Sequence, residues 1–368
     1  VVVRVLNWLP VGGAERRVLD LLPRLDPGRF RSHIVLLRER GPLTELAEER
    51  GIPVHLAPLR TRLSPGGLWR LASLFRGLKA DIVHSHMYRS NTPATIAARW
   101  AGVPVILAQI HNVDTWESRR QVWMDRLLSR RRSGIIAVSE RVKQDVLARL
   151  HLDPKRVFLL YNGIDILKFR PNPENREAGR RAEGIPADAV VAVCVARLVE
   201  QKNHLGLLRA FAAIAARHPA LMLWLIGEGP MRGVLETEVR RLGIAERVRF
   251  SGQRADIHAL LTLVDFSVLV SFREGFSNVV IESLATGLPM LVTDVGGNAE
   301  AVRDGIEGIV VSPPGDTQAL GDALARLASN SEERMRMAAQ ARERACEFSL
   351  EVMARRTESL YLELMDKV

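Results

Sequence analysis

Two glutamates frame the run of this chain best equipped for chemistry, Glu274-Gly275-Phe276-Ser277-Asn278-Val279-Val280-Ile281-Glu282. A short apolar stretch, Phe266–Val270, leads into it as an expected strand, and a helix is expected to start near Ser277. Ser277 or Asn278 can cap that helix, and the free amides of its first turn make a ready site for an anion. Glu282 falls more than a turn further along, where its carboxylate can accept hydrogen bonds from a vicinal diol such as a ribose. Two Glu at this spacing also occur by chance, so the reading needs neighbouring motifs.

A second constellation follows the strand expected at Val190–Ala196, where Arg197-Leu198-Val199-Glu200-Gln201-Lys202-Asn203 opens into another helix. Arg197 offers a planar fork and Lys202 a compact charge, a combination suited to a diphosphate at a helix start. Surface cations are commonly just solvated, but a place at the end of a strand in a βα unit argues for ligand contact. Gly12-Gly13-Ala14-Glu15, directly after the first strand, lets a ligand approach the backbone closely, although glycines at helix starts are common. Leu225-Ile226-Gly227-Glu228-Gly229-Pro230-Met231-Arg232-Gly233 superficially echoes a dinucleotide fingerprint, yet its third Gly is one place late and Pro230 occupies the turn. It reads as a strand-to-helix turn with no nicotinamide site. His84-Ser85-His86 and His111 stand at strand ends without Cys nearby or zinc-like spacing. Packed or hydrogen-bonded imidazoles are expected for His84 and His86, and no metal.

Positioning these motifs falls to an alternation of short β-branched runs with segments of helical period. Strands are expected at Val1–Leu6, His33–Leu37, Val54–Ala57, Asp81–His84, Val105–Gln109, Ile135–Val138 and Val157–Leu160. After a Pro-, Gly- and Asn-rich stretch at Asn162–Asp188, read as a linker without regular structure, they resume at Val190–Ala196, Leu221–Ile226, Val248–Phe250, Phe266–Val270, Pro289–Val292 and Gly308–Val311. From Thr317 onward only helix is expected. Such α/β alternation predicts two doubly wound domains, whose ligands bind beyond the carboxyl ends of the strands.

The 368 residues exceed one comfortable core and suit two domains of roughly 150–200 residues each. A composition 47% hydrophobic and 26% charged excludes disorder, collagen and coiled coil. No run reaches the roughly 18 apolar residues of a membrane span. Val1–Leu6 is too short and too β-branched for a signal peptide. Two cysteines, Cys194 and Cys346, cannot staple a chain of this length, so a reduced, cytoplasmic protein is expected. The net charge of +10 is uneven: residues 1–165 carry 27 Lys and Arg against 15 Asp and Glu, whereas residues 166–368 carry 25 against 27. Five of the six tryptophans, Trp8, Trp69, Trp100, Trp116 and Trp123, share the basic half. That pairing suits an anionic partner, whether nucleic acid, polyanionic substrate or lipid surface; a solvated Arg-rich surface is the plain alternative.

Taken in order, Gly12-Gly13-Ala14-Glu15, Tyr161-Asn162-Gly163-Ile164-Asp165, Arg197 with Lys202, Gly227-Glu228-Gly229-Pro230, the Glu274…Glu282 run, Gly287-Leu288-Pro289 and Gly296-Gly297-Asn298-Ala299-Glu300 resemble the retaining glycosyltransferases of family 4 over nearly the whole chain. The resemblance implies a GT-B fold: two Rossmann-like domains facing across a cleft, with a final helix crossing back to the first. Residues 1–165 would bind the acceptor, 166–346 the nucleotide-sugar donor, and 347–368 would form the returning helix. It implies that Arg197 and Lys202 hold the diphosphate, Glu282 the ribose, and Glu274 the donor sugar with the amides of Phe276, Ser277 and Asn278. Gly13 would pass close to the phosphate, His111 would lie beneath the sugar, and Arg254 would contact the base. The expected reaction is transfer of a sugar from a UDP- or GDP-sugar, itself a substrate, with retention and with neither metal nor cofactor. Arg197, Lys202 and a helix N-terminus do the electrostatic work that a divalent ion does elsewhere.

The acceptor, a glycan or lipid-linked molecule of the cell envelope, is expected on the basic half. Gly66–Lys79 is expected to pack Leu68, Leu71, Ala72 and Phe75 on the sheet. Thr115–Arg132, with Trp116, Trp123, Arg119, Arg120, Arg126, Arg130, Arg131 and Arg132, is the better candidate for an anionic membrane interface. The expected location is therefore cytoplasmic, peripheral on the inner face of the plasma membrane. Two other readings compete: a GT-B sugar-nucleotide epimerase, which would consume donor without acceptor, and a basic nucleic-acid-binding protein. Only three Tyr and no base-reading element speak against the second.

Overall fold

Runs of Val, Ile and Leu, too continuous to leave a face for water, build two sheets in which every pairing is parallel. The computed structural model describes residues 1–10, 12–113 and 118–368; Thr115 and Trp116 lie outside the described residues. The first sheet contains β1 (Val2–Leu6), β2 (Ser32–Leu36), β3 (Val54–Leu56), β4 (Ile82–His86), β5 (Val105–Ile110), β6 (Gly134–Ala137) and β7 (Val157–Leu159), ordered β3-β2-β1-β4-β5-β6-β7. The second contains β8 (Val190–Val195), β9 (Leu221–Ile226), β10 (Val248–Phe250), β11 (Phe266–Leu269), β12 (Met290–Thr293) and β13 (Gly308–Val311), ordered β10-β9-β8-β11-β12-β13. In each, strand order reverses beside the first strand, at β1/β4 and β8/β11, where doubly wound sheets form their ligand crevices.

The chain divides into two compact units, residues 1–163 with 350–368 and residues 164–349. The divisions fall two or three residues from those expected at 165/166 and 346/347, and local contacts explain the shift. Gly163 donates its amide to Met353 Sδ at 3.1 Å and accepts from Arg17 at 3.1 Å. A Cβ there would press on Leu350 and Met353. The next residue, Ile164, instead donates to the Phe348 carbonyl at 2.8 Å and bridges Ser349. The helix Leu350–Met365 belongs to the first unit, burying Met353, Leu360, Tyr361 and Leu364 in its core.

Two expectations need correction. The supposed linker contains a helix, Pro173–Ala182. It has almost no apolar stripe to announce it and is anchored by cations: Arg176 reaches Asp265 at 2.8 Å and the carbonyls of Thr262 and Val264, while Arg180 reaches the Leu263 carbonyl. Arg132 is likewise no surface cation. It is fully buried, 2.6 Å from an equally buried Asp125 and 2.9 Å from Thr95 Oγ1. On the helix Arg119–Ser129, which Ser118 caps, Arg119, Arg120 and Arg126 are exposed with Trp123 (63%) and Leu127 (46%); Arg130 and Arg131 follow, also exposed. In the helix Pro65–Gly77, by contrast, Leu68, Leu71, Ala72 and Phe75 are buried.

Candidate active site

Most of the site residues expected in the second unit stand on or beside the loops at the carboxyl ends of β8, β9, β11 and β12. Arg197, two residues past β8, is exposed, and its guanidinium has no hydrogen-bond or ion-pair partner among the described residues. Its loop is held from behind by the buried Leu198 side chain and by backbone: Leu198 donates to the Glu228 carbonyl at 2.9 Å, and Met231 to that of Leu198 at 3.0 Å. At Gly227 (φ +144°) a Cβ would collide with the Ala196 carbonyl, and at Gly229 with that of Leu198. The glycines that echo a dinucleotide fingerprint therefore serve to let two loops touch.

Lys202 Nζ lies 2.5 Å from Glu274 Oε1, which also accepts from Ser271 Oγ at 2.6 Å. Gln201 Nε2 donates to the Arg273 carbonyl at 2.7 Å, and Phe272 donates to that of Gln201 at 2.8 Å, tying the two loops in register. From the far side Gly296, at φ +55°, packs directly on the Glu274 carbonyl, and Gly297 donates to Gly275 at 2.6 Å. Glu274 is thus buried and aimed by two donors. The helix Asn278–Ala285 follows, with Ser277 at its N-cap making no side-chain capping bond. Phe276 is buried against Phe348, with ring centroids 5.2 Å apart, and Glu282 sits half-buried on the helix's second turn.

Arg254 stands apart from this group. Its fork is engaged by Glu183 at 2.9 Å and by both oxygens of Asp256 at 2.8 and 2.6 Å, bonds that push its pKa up. A cavity of about 560 Å³ lies beside these carboxylates, lined by Lys168, Arg170, Asn175 and His258 among others, and it includes none of the other expected site residues.

In the first unit Gly13 opens the helix Gly13–Leu21, and His111 follows β5 directly. His111 ends a polar network in which the hydrogen-bonded imidazoles expected at His84 and His86 are joined by Arg4, Gln109 and Tyr361, which sequence reasoning did not foresee. Burial first, and the Arg4 charge after it, push the His111 pKa down to about 4. Burial also holds His84 and His86 well below the usual imidazole range. The one sequence signal was a charge at the centre of an otherwise apolar first strand. Among the described residues no three of His, Cys, Asp and Glu are grouped to hold a metal ion, and no helix is long and apolar enough to cross a membrane.

Comparison with known proteins gives the class of this chain. The profile described as Glycosyltransferase Family 4 matches residues 11–167, and that described as Glycosyl transferases group 1 matches residues 175–344. The chain is 34% identical over 352 residues to a D-inositol 3-phosphate glycosyltransferase of Saccharomonospora viridis, covering 88% of this chain and 77% of the relative. It is 26% identical over 314 residues, 82% of this chain and 81% of the relative, to the Escherichia coli UDP-Gal:alpha-D-GlcNAc-diphosphoundecaprenol alpha-1,3-galactosyltransferase. Among solved structures, Anabaena HepE in complex with UDP superposes with a TM-score of 0.89 at 22% identity, over 98% of this chain and 99% of the other. This chain belongs to glycosyltransferase family 4 and has the GT-B fold. It is a glycosyltransferase, and the epimerase reading finds no support among its relatives.

Proposed function

We propose that the chain moves a hexose from a UDP-sugar to a glycan or lipid-linked acceptor of the cell envelope, with retention and without a divalent metal or other cofactor. The observation that carries this reading is Arg197, a guanidinium with no carboxylate partner among the described residues, on a loop that two glycines brace from behind. In the proposed reaction the bond from the anomeric carbon to the diphosphate oxygen breaks. A bond to the acceptor hydroxyl forms on the same face, and the hydroxyl's proton passes to the departing phosphate. Arg197, Lys202 and the amide end of the helix Asn278–Ala285 stabilise the charge that grows on the diphosphate. Glu274, aimed by Lys202 and Ser271, accepts from the sugar hydroxyls, and Glu282 accepts from the ribose. His111 lies beneath the sugar and Gly13 near the phosphate. UDP is favoured over GDP because the E. coli relative uses UDP-Gal by its name and HepE is also known in complex with UDP-glucose.

Melting in the presence of EDTA tests the donor. At a hundred times its dissociation constant a ligand adds roughly 2.7 kcal/mol, an easily visible shift. UDP is expected to stabilise the wild type but not Arg197→Ala, GDP and ADP neither. Equal shifts in both proteins would remove Arg197 from the site, and an inverted product configuration would dismiss retention.

We further propose a peripheral place on the inner face of the plasma membrane, through the helix Arg119–Ser129. Trp123 and Leu127 are one turn apart, with Arg119, Arg120 and Arg126 on the same helix. Each cation near an anionic surface contributes about 1 kcal/mol, and each buried apolar side chain about 1.5–3 kcal/mol. Sedimentation with anionic but not neutral vesicles is expected, and at least about tenfold weaker for Trp123→Ala/Leu127→Ala. Binding indifferent to lipid charge would count against the assignment.

A further inference from the structure

Arg4 is the anomaly of the first sheet. It stands mid-strand in β1, on the face that Val2 and Leu6 give to the core, and is only 1% exposed. A buried guanidinium is ordinarily paired with a carboxylate, and among the described residues Arg4 has none. Nη1 lies 3.2 Å from His86 Nε2 and 3.5 Å from His84 Nε2, and the guanidinium carbon is 5.6 Å from the Tyr361 ring centroid. Its Nε and Nη2 have no partner among the described residues.

The chemistry of the donors fixes the direction of the bonds that lead from Arg4 to His111. A guanidinium only donates, so His86 Nε2 accepts and the hydrogen of that ring sits on Nδ1. His86 Nδ1 is 3.1 Å from His111 Nε2, which must accept in turn. The hydrogen of His111 is then on Nδ1, a nitrogen with no partner among the described residues. His84 does not disturb the chain in either tautomer: its Nε2 faces both Arg4 Nη1 at 3.5 Å, which can only donate, and Gln109 Oε1 at 3.0 Å, while its Nδ1 lies 2.7 Å from the Tyr361 hydroxyl, which can accept or donate. The groups around the imidazoles are therefore Arg4 from β1, His84 and His86 from β4, Gln109 from β5, and Tyr361 from the C-terminal helix. Among the described residues none is a carboxylate. Met87, next to His86, has φ +66°, a costly conformation for this residue type.

We propose that Arg4 is a positioning residue: through His86 it holds His111 in the Nδ1–H tautomer, so that His111 meets the donor sugar as a hydrogen-bond donor and not as a base. The last clause rests on the transferase reading above; the tautomer does not.

Nitrogen-15 NMR of histidine-labelled full-length protein, taken between about pH 5 and 8 where an ordinary imidazole titrates, reads the tautomers directly. His86 and His111 are both expected as Nδ1–H throughout. In Arg4→Met the His111 signal becomes a tautomer mixture and kcat falls about tenfold, less than the roughly hundredfold expected of His111→Ala. Arg4→Lys restores one donor to His86 and recovers the single tautomer. A wild-type His111 with its hydrogen on Nε2, or mixed, overturns the proposal whether or not the variants fold. So does an unchanged His111 in folded Arg4→Met. A correct tautomer in a protein that turns over no nucleotide sugar would leave the relay standing and remove the transferase chemistry.

Discussion

Arg197→Ala is expected to lower kcat/KM for a nucleotide sugar by about 10²–10³-fold, the loss known for removal of one preorganised donor to a developing anion. The same variant should melt with the wild type, because the Arg197 side chain is exposed and makes no hydrogen bond or ion pair among the described residues. Lys202→Ala should lose comparable activity but also stability. It strips the cation from Glu274, which stays buried with only Ser271 Oγ at 2.6 Å, and leaving a buried group short of a partner costs about 1–3 kcal/mol. The contrast separates two cations that look alike in the sequence. Steady-state kinetics with thermal melts decides it, and wild-type kcat/KM in Arg197→Ala would end its assignment to the diphosphate.

Asp125→Ala should be the most damaging single change in the first unit. Both partners of the Asp125–Arg132 pair are fully buried, and removal of one strands the other charge at a cost of about 3–5 kcal/mol. The remaining contacts of Arg132 with Thr95 and Ser129 are neutral hydroxyls and cannot replace the charge. Replacing both partners, Asp125→Leu with Arg132→Met, should recover most of the loss, since well-packed apolar pairs of similar volume are often as stable as a buried ion pair. Denaturant unfolding of the three proteins checks this. A cost below about 1 kcal/mol for Asp125→Ala would show the pair behaving like a surface one.

The strands were legible because a parallel sheet buried on both faces leaves runs such as Leu221–Ile226 with no polar position to blur their limits. Arg197 and Glu274 stood out because strand-end loops are where such sheets bind ligands. What could not be read depends on partners far away in sequence. The helix Pro173–Ala182 is held on Asp265, some 85 to 89 residues later, by Arg180 and Arg176. Arg132 looks like one of three consecutive cations until Asp125 and Thr95 are seen around it. Arg4 meets His84 only because β4 lies beside β1 in register, a neighbourhood that strand order creates and no local pattern encodes. The engagement of Arg254 by Glu183 is of the same kind.

The return of the last helix to the first unit has a consequence for synthesis. Ribosomes deliver chains from the amino end, so the earlier of two domains ordinarily folds first. Here residues 164–349 form a continuous unit that can finish as soon as it emerges, whereas residues 1–163 must wait for Leu350–Met365. Until then the surface that Tyr361 and Leu364 will cover stays open, with Arg4 and His84 beneath it. The half translated first is completed last, and its nascent core is the apolar surface left open longest during synthesis.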